Sequence, residues 1–290
     1  MSSEVIELSS KNSRCRAAGD GEIPVRKTRS ALSEAKNLNS ESLVKVSDRA
    51  AGLLRDSLVC DMTLPWGAGY QNQDMILPEF QRAGVNFISL TVGVDRMSRV
   101  ETVRHIAAQR NRIIRDWADN CHFVESVDDI IDAQKAGKLA VGFHFQGSNP
   151  LDGDINMVEF YYKLGIRHML FAYNQRNRAC DGCHELSDGG LSRFGLRLVE
   201  EMNRVGMIVD GTHCGYRSSM EMMETSTAPA VFSHSNAMAI RNHARNLRDD
   251  QIKACSETGG FIGINGVGHF LADDMIATPE AWIRHVDYIA

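Results

Sequence analysis

From residue 57 onward, short apolar runs alternate with stretches whose apolar positions recur at helical spacing. The runs are SLVCDM (57–62), VNFISLTV (85–92), LAVGFHFQ (139–146), RHMLFAY (167–173), GMIVDGTH (206–213), AVFSHS (230–235) and GFIGINGV (260–267). Near-continuous apolar character predicts strands of a sheet covered on both faces. Between them, SRFGLRLVEEMNRVG (192–206) predicts the clearest helix: Phe194, Leu198, Val199, Met202 and Val205 share one face, and Gly206 stops it. SVDDIIDAQKAGK (126–138) and INMVEFYYKLG (155–165) end on glycine in the same way. RHIAAQRNRIIRD (104–116) is basic, but its Ile and Ala spacing predicts a solvated helix face. Strand, helix, strand in repetition predicts parallel βαβ units.

Seven such strands suit either a doubly wound sheet or a (β/α)8 barrel without its eighth strand. The polar residues favour the barrel. His144 and Gln146, Tyr173 and Asn174, Asp210 and His213, and His234 and Asn236 all fall at C-terminal strand ends. Barrel enzymes gather their chemistry from several strand ends at one face. A doubly wound sheet uses one crevice and an early glycine-rich loop, and no G-x-G-x-x-G follows the first run. Residues 1–45, rich in Ser, Lys, Arg, Glu and Asn, are expected to form a flexible leader, and 46–290 the barrel domain.

Composition narrows the function. A net charge of -5 without a basic stripe argues against nucleic acid. No run of about eighteen apolar residues predicts a membrane span. MSSEVIELSSKNSRCRAAGDGEIPVRKTRS (1–30) has no apolar core of a secretory signal. Seven scattered cysteines do not form a disulfide framework, so mostly reduced thiols and a cytoplasmic setting are expected. One stretch is ambiguous. RACDGCHELSDGG (178–190) holds Cys180, Cys183 and His184 as C-x-x-C-H, the spacing of a haem attachment site. The same cysteines could be half a zinc site, a redox pair, incidental thiols in a glycine-containing loop, or active-site groups together with Asp181 and Glu185. The missing leader weighs against haem.

His213 and His234 end consecutive strands, so their imidazoles can point at one spot and bind a borderline metal. The region around them, GLSRFGLRLVEEMNRVGMIVDGTHCGYRSSMEMMETSTAPAVFSHSNAMAIRNHARNL (190–247), resembles the membrane dipeptidase (renal dipeptidase-like) family of the amidohydrolase superfamily. The order G-L-S-x-F-G, helix, strand ending in His, helix, F-S-H-S-N-A, R-N carries the resemblance. Weaker similarity runs from about 50 to 290, including FYYKLGIRHMLFAYN (160–174). The resemblance implies a (β/α)8 TIM barrel of the metal-dependent hydrolase type that cleaves dipeptides or similar small amides.

It also implies roles. His213 and His234 correspond to metal ligands, Arg245 to an arginine that grips the substrate carboxylate, and Tyr173 to a substrate-contacting histidine, with Asn174 beside it. Where the family has H-x-D before Leu-Pro, this chain reads Asp61-Met62-Thr63, so Asp61 can ligate and Thr63 is a poor ligand. Where the family has a bridging Glu, this chain has Gln146, which is neutral. These departures suggest a divergent branch holding one divalent ion, zinc foremost, on His213 and His234 with Asp61 and Gln146 as helpers. The family's catalytic Asp ends the eighth strand. TPEAWIRHVDYIA (278–290) reads as the helix before that strand, so no residue here corresponds to the Asp and a fragment is expected. The expected partner is a small dipeptide-like substrate, with a homodimer as a hint from the family. Competing readings are another metal-dependent amide hydrolysis or lyase step on the same barrel, and a non-catalytic ligand-binding homologue.

Overall fold

Among the described residues, seven parallel strands form one sheet: β1 (Cys60–Pro65), β2 (Phe87–Val94), β3 (Cys121–Phe123), β4 (Leu139–Gln146), β5 (Ile166–Leu170), β6 (Ile208–Asp210) and β7 (Ala230–Val231). The computed structural model describes residues 46–66 and 73–290, with the side chains of 73–75 left aside, and the expected leader at 1–45 lies outside the described residues. Residues Ala51–Ala290 make one compact unit. The strand order is β1-β2-β4-β5-β6-β7, with β3 paired to the start of β4. β4 is buried along its whole length and β2 along all but its last residue, as expected for strands covered on both faces.

The helices connect the strands. They are α1 (Asp48–Asp56), α2 (Gln73–Arg82), α3 (Arg99–Asn111), α4 (Val127–Lys135), α5 (Met157–Lys163), α6 (Arg193–Val205), α7 (Tyr216–Thr225), α8 (Asp249–Glu257), α9 (Gly268–Leu271) and α10 (Pro279–Ile289). α6 follows the predicted stripe: Phe194, Leu198, Val199 and Met202 are buried, Ser192 caps its first turn, and Gly206 (φ 83°) ends it. None of the described helices is long and apolar enough to cross a membrane.

Three strand predictions need correction. The first strand starts at Cys60, not Ser57, because Val59 and Leu58 lead into it as coil. Cys121–Phe123 is a strand that was not predicted; three residues are too few to show a period. The run 260–267 is not a ladder strand. It makes one parallel bridge, Ile262 to Phe232. Its main chain still lies along the end of β7: Phe232 N donates to Phe261 O (3.0 Å), Gly263 N to Phe232 O (2.8 Å) and Ser235 N to Gly263 O (2.8 Å). Glycine permits this closeness, since a Cβ on Gly260 would sit 1.7 Å from Ala230 O and one on Gly263 2.1 Å from Ser233 O.

The sheet curls into an open half-barrel, with side-chain contact between its two ends. β1 and β7 stand at opposite ends of the strand order, yet Thr63 Oγ1 of β1 lies 3.3 Å from Ser233 Oγ and 3.0 Å from His234 Nδ1. Inside the curl, His144 is a packed polar residue rather than a site group. It bonds to Ser89 Oγ and Thr91 Oγ1 (2.9 Å each) and stacks on His168 at 4.4 Å.

Candidate active site

His213 and His234 reach one point because the turns that carry them are tied together. β6 ends at Asp210 and β7 at Val231, so both histidines lie just beyond their strands. Asp210 Oδ1 accepts from Thr212 N (3.0 Å) in the first turn and from Ser233 N (3.2 Å) in the second. One buried carboxylate thereby fixes the spacing of the two exits. His213 sits in the left-handed region (φ 70°), as does Asn174 (φ 63°) beyond β5. Left-handed backbone away from glycine is uncommon and clusters at functional sites.

The ring nitrogens His213 Nε2 and His234 Nε2 face each other at 2.9 Å. His213 Nδ1 lies 2.6 Å from Asn174 Oδ1, and Tyr173 stacks on the His213 ring at 4.2 Å. His234 Nδ1 lies 2.8 Å from Ser233 Oγ and 3.0 Å from Thr63 Oγ1. Burial holds both imidazoles well below the usual histidine range, and the nearby Arg245 charge adds to the effect. Both rings are therefore neutral near pH 7, the form that binds metals.

A cavity of about 1120 Å³ opens beside the pair. Asp61, Gln146, Tyr173, Asn174, His213, His234 and Arg245 all line it, so the residues expected to contact metal or substrate are gathered there, while His144, Asp210 and Asn236 are not among its lining. Arg245 is buried, so it is not a surface ion-pair residue. Its guanidinium donates to His234 O (3.3 Å) and lies over the Phe270 ring, and it pairs with no carboxylate among the described residues. Asp61 Oδ1 accepts from Thr63 N (2.9 Å), and burial raises its carboxyl above the usual range. No group of three His, Cys, Asp or Glu side chains converges tightly enough to hold an ion among the described residues.

Sequence reasoning missed Ser233 and undervalued Thr63. Thr63 points into the site because β1 bulges there. Asp61 pairs with Ile88 but Leu64 with Leu90, which leaves one extra residue on β1. The D-M-T-L-P stretch gives no sign of that bulge.

The 178–190 loop is not a second ligand set. Asp181 pairs with Arg176 and accepts from Gly189 N (2.6 Å), while Glu185 Oε1 accepts from Arg176 N (2.6 Å). His184 is exposed. Cys180 is buried with its sulfur 3.8 Å from Cys214 Sγ, as free thiols. Cys183 alone approaches the site, at 3.4 Å from Asn174 Oδ1, and burial pushes its thiol up to about 11, so it offers no thiolate at neutral pH. Gly182 is the critical member. A Cβ there would lie 2.1 Å from the Asn174 carbonyl carbon.

Residues 79–290 match the model of the membrane dipeptidase family, peptidase family M19. The chain belongs to that family. The family is one of metallopeptidases, which implies a divalent metal. An uncharacterized dipeptidase of Schizosaccharomyces pombe is 30% identical over 186 residues, 62% of this chain and 43% of that protein. A crystal structure of an amidohydrolase from Pseudomonas aeruginosa superposes with a TM-score of 0.75 at 32% identity, covering 82% of this chain and 71% of that one. A metallopeptidase from Rhodobacter sphaeroides, liganded with a phosphinate mimic of the dipeptide L-Ala-D-Ala, superposes with a TM-score of 0.68 at 20% identity, covering 77% and 75%. The M19 chain described here spans less than half the length of the curated relatives it matches.

Proposed function

We propose that this chain carries a divalent-metal hydrolase site of the M19 type that cleaves dipeptides or similar small amides. The observation that carries the reading is the facing pair His213 Nε2 and His234 Nε2, 2.9 Å apart, buried and neutral, at the wall of a 1120 Å³ cavity. This donor chemistry fits one borderline ion. His213 and His234 would hold it, with Asp61 and Gln146 as helpers. Zinc suits two imidazoles best. One ion is favoured over two, because Gln146 brings no negative charge to screen a second cation from the first. A bound divalent ion supplies Lewis acidity, which polarises an amide carbonyl and eases deprotonation of water near pH 7.

The remaining residues have separable tasks. Arg245, a buried cation without a carboxylate partner among the described residues, is suited to a substrate carboxylate. Tyr173 covers one face of the His213 ring and lines the cavity, where its hydroxyl can meet a substrate oxygen. The Asn174 amide nitrogen can donate to the scissile carbonyl, since only its oxygen is engaged by His213. The dipeptide mimic held by the Rhodobacter relative is consistent with a substrate of this size. A second reading, a non-catalytic ligand-binding relative, draws on the lack of a three-ligand cluster among the described residues.

Elemental analysis of protein purified without added metal separates the two. About one zinc per chain, lost in His234→Ala, supports the hydrolase and justifies assays with a dipeptide panel. Folded protein with no metal, before and after incubation with zinc, supports the ligand-binding relative.

A further inference from the structure

The 178–190 loop and the turn that carries His213 are paired like two strands. Gly182 and Cys214 form an antiparallel bridge, flanked by Cys183 N to His213 O and Gly215 N to Asp181 O at 2.9 Å each. This pairing brings two buried thiols together. Cys180 donates its S–H to Cys214 Sγ at 3.8 Å, and Cys214 donates its own to Thr212 O at 3.8 Å. The redox pair in the structure is thus Cys180 with Cys214 and not the C-x-x-C of the sequence, since Cys183 approaches Asn174 Oδ1 instead. The two sulfurs differ in access. Cys214 lines a second cavity, of about 210 Å³, which shares His213 and Arg245 with the larger one, and Cys180 is not among its lining. A molecule a few atoms in size can therefore reach Cys214 first, with Cys180 behind it. The two also differ in freedom. Cys180 is anchored in its loop: its N–H donates to Asn177 Oδ1 (3.3 Å), its carbonyl accepts from Asn177 N (3.0 Å), and it bridges to Leu191. Cys214 follows directly on the left-handed His213.

We propose that Cys180 and Cys214 are a peroxide-sensitive thiol pair, and that its closure into a disulfide draws the turn at 211–215 toward the loop and moves His213 out of place. The chemistry uses hydrogen peroxide as oxidant. Cys214 gives up its proton and its sulfur attacks one peroxide oxygen. The O–O bond breaks, the departing hydroxide takes up a proton as water, and Cys214 is left as a sulfenic acid. The Cys180 sulfur then attacks the Cys214 sulfur. The S–O bond breaks as the S–S bond forms, and the leaving hydroxide takes the Cys180 proton as a second water. Two thiols lose two electrons and one peroxide gains them. Closure shortens the sulfur separation from 3.8 Å to about 2.05 Å. Cys180 is two residues from Gly182, the residue facing Cys214. In a ladder such diagonal positions stand about 7–8 Å apart, at the limit that a disulfide spans without backbone movement. The anchored Cys180 leaves the His213 turn to move. The effect on hydrolysis rests on the function proposed above, and the thiol chemistry does not.

Reduced protein is treated with equimolar hydrogen peroxide, alkylated and digested without reductant. Mass spectrometry should find peptides joined through Cys180 and Cys214, lighter by two hydrogens than the reduced pair and separated by dithiothreitol. In Cys180→Ala the Cys214 sulfenic acid should persist and be trapped by dimedone, and wild-type histidine NMR signals before treatment verify that this variant is folded. In the wild type the His213 ring signal should shift on oxidation and return on reduction. Dipeptide hydrolysis should fall on the order of 100-fold, as for a reacting group misplaced by about an ångström, and recover with dithiothreitol, whereas Cys180→Ala should keep most of its activity through the same treatment. Absence of the Cys180–Cys214 link, a link through Cys183 in its place, or a link that leaves the His213 signal and hydrolysis unchanged overturns the proposal. A chain that forms the link and shifts the His213 signal, yet hydrolyses no dipeptide when reduced, supports the thiol pair and removes the hydrolase reading instead.

Discussion

A methyl group at Gly182 would lie 2.3 Å from the Asn174 carbonyl oxygen, and the backbone it would push carries the side chain that holds His213. Gly182→Ala should therefore cost about 1–3 kcal/mol of stability, as overpacking does, and should weaken zinc binding without touching a ligand. Urea unfolding and zinc titration of the same sample check both. A stable variant with wild-type zinc affinity would show that the contact is unimportant. The stretch Cys180–His184 illustrates what was legible at this scale. Its thiols drew attention because C-x-x-C-H is a known spacing, whereas its structural constraint is the glycine between them. His213, His234 and Arg245 were legible because strand-end position and flanking order mark them. Thr63 and Ser233 were not, since a hydroxyl's role depends on which atom faces it, and sequence carries no such geometry.

Among the elements, those with a long periodic face were read well and the short ones poorly. α6 shows five apolar positions on one stripe, a serine before and a glycine after, and it forms as predicted. Ser192→Ala should remove the hydrogen bond to Gly195 N and lower stability by about 1 kcal/mol, measured by thermal unfolding. The run 260–267 looked like a strand because its apolar residues suggested one, but glycine at every third position, 260, 263 and 266, breaks the pattern, and Gly260 and Gly263 let it lie close against β7. That closeness gives it a use. Gly263 N and O bond on either side of Ser233 and His234. Gly260→Ala, with a Cβ 1.7 Å from Ala230 O, should separate the segment from β7 and displace His234. The expected result is a drop in zinc affinity larger than that of Ser192→Ala, which caps α6 and does not line the cavity. Equal affinity in both would show that the segment does not support the site.

Across the whole molecule, the barrel class was legible from alternation and from polar residues at strand ends, while the contact between Thr63 and Ser233 was not, because it joins positions 170 apart in sequence. The buried histidines give the fold a definite acid response. Burial drives His168 down to about 4, against the pull of Asp210, and holds His144 well below the usual range. The unfolded chain takes up protons at about 6.5, so it binds them first as pH falls. Stability is complete above that value and declines toward pH 4, His168 alone removing about 2 kcal/mol between pH 7.5 and 5. The raised carboxyls of Asp61 and Asp95 act in the opposite direction. Urea midpoints of metal-free protein at the two pH values test this, and an unchanged midpoint would contradict it. The left-handed backbone at His213 has a further consequence. For folding alone, glycine is the residue that position prefers. His213→Gly should thus be more stable than His213→Ala by about 1 kcal/mol, the reverse of their usual order within helices. Selection for thermal tolerance alone would drift this position toward a residue that cannot bind a metal, so a library screened only for stability would lose the centre before it lost the barrel.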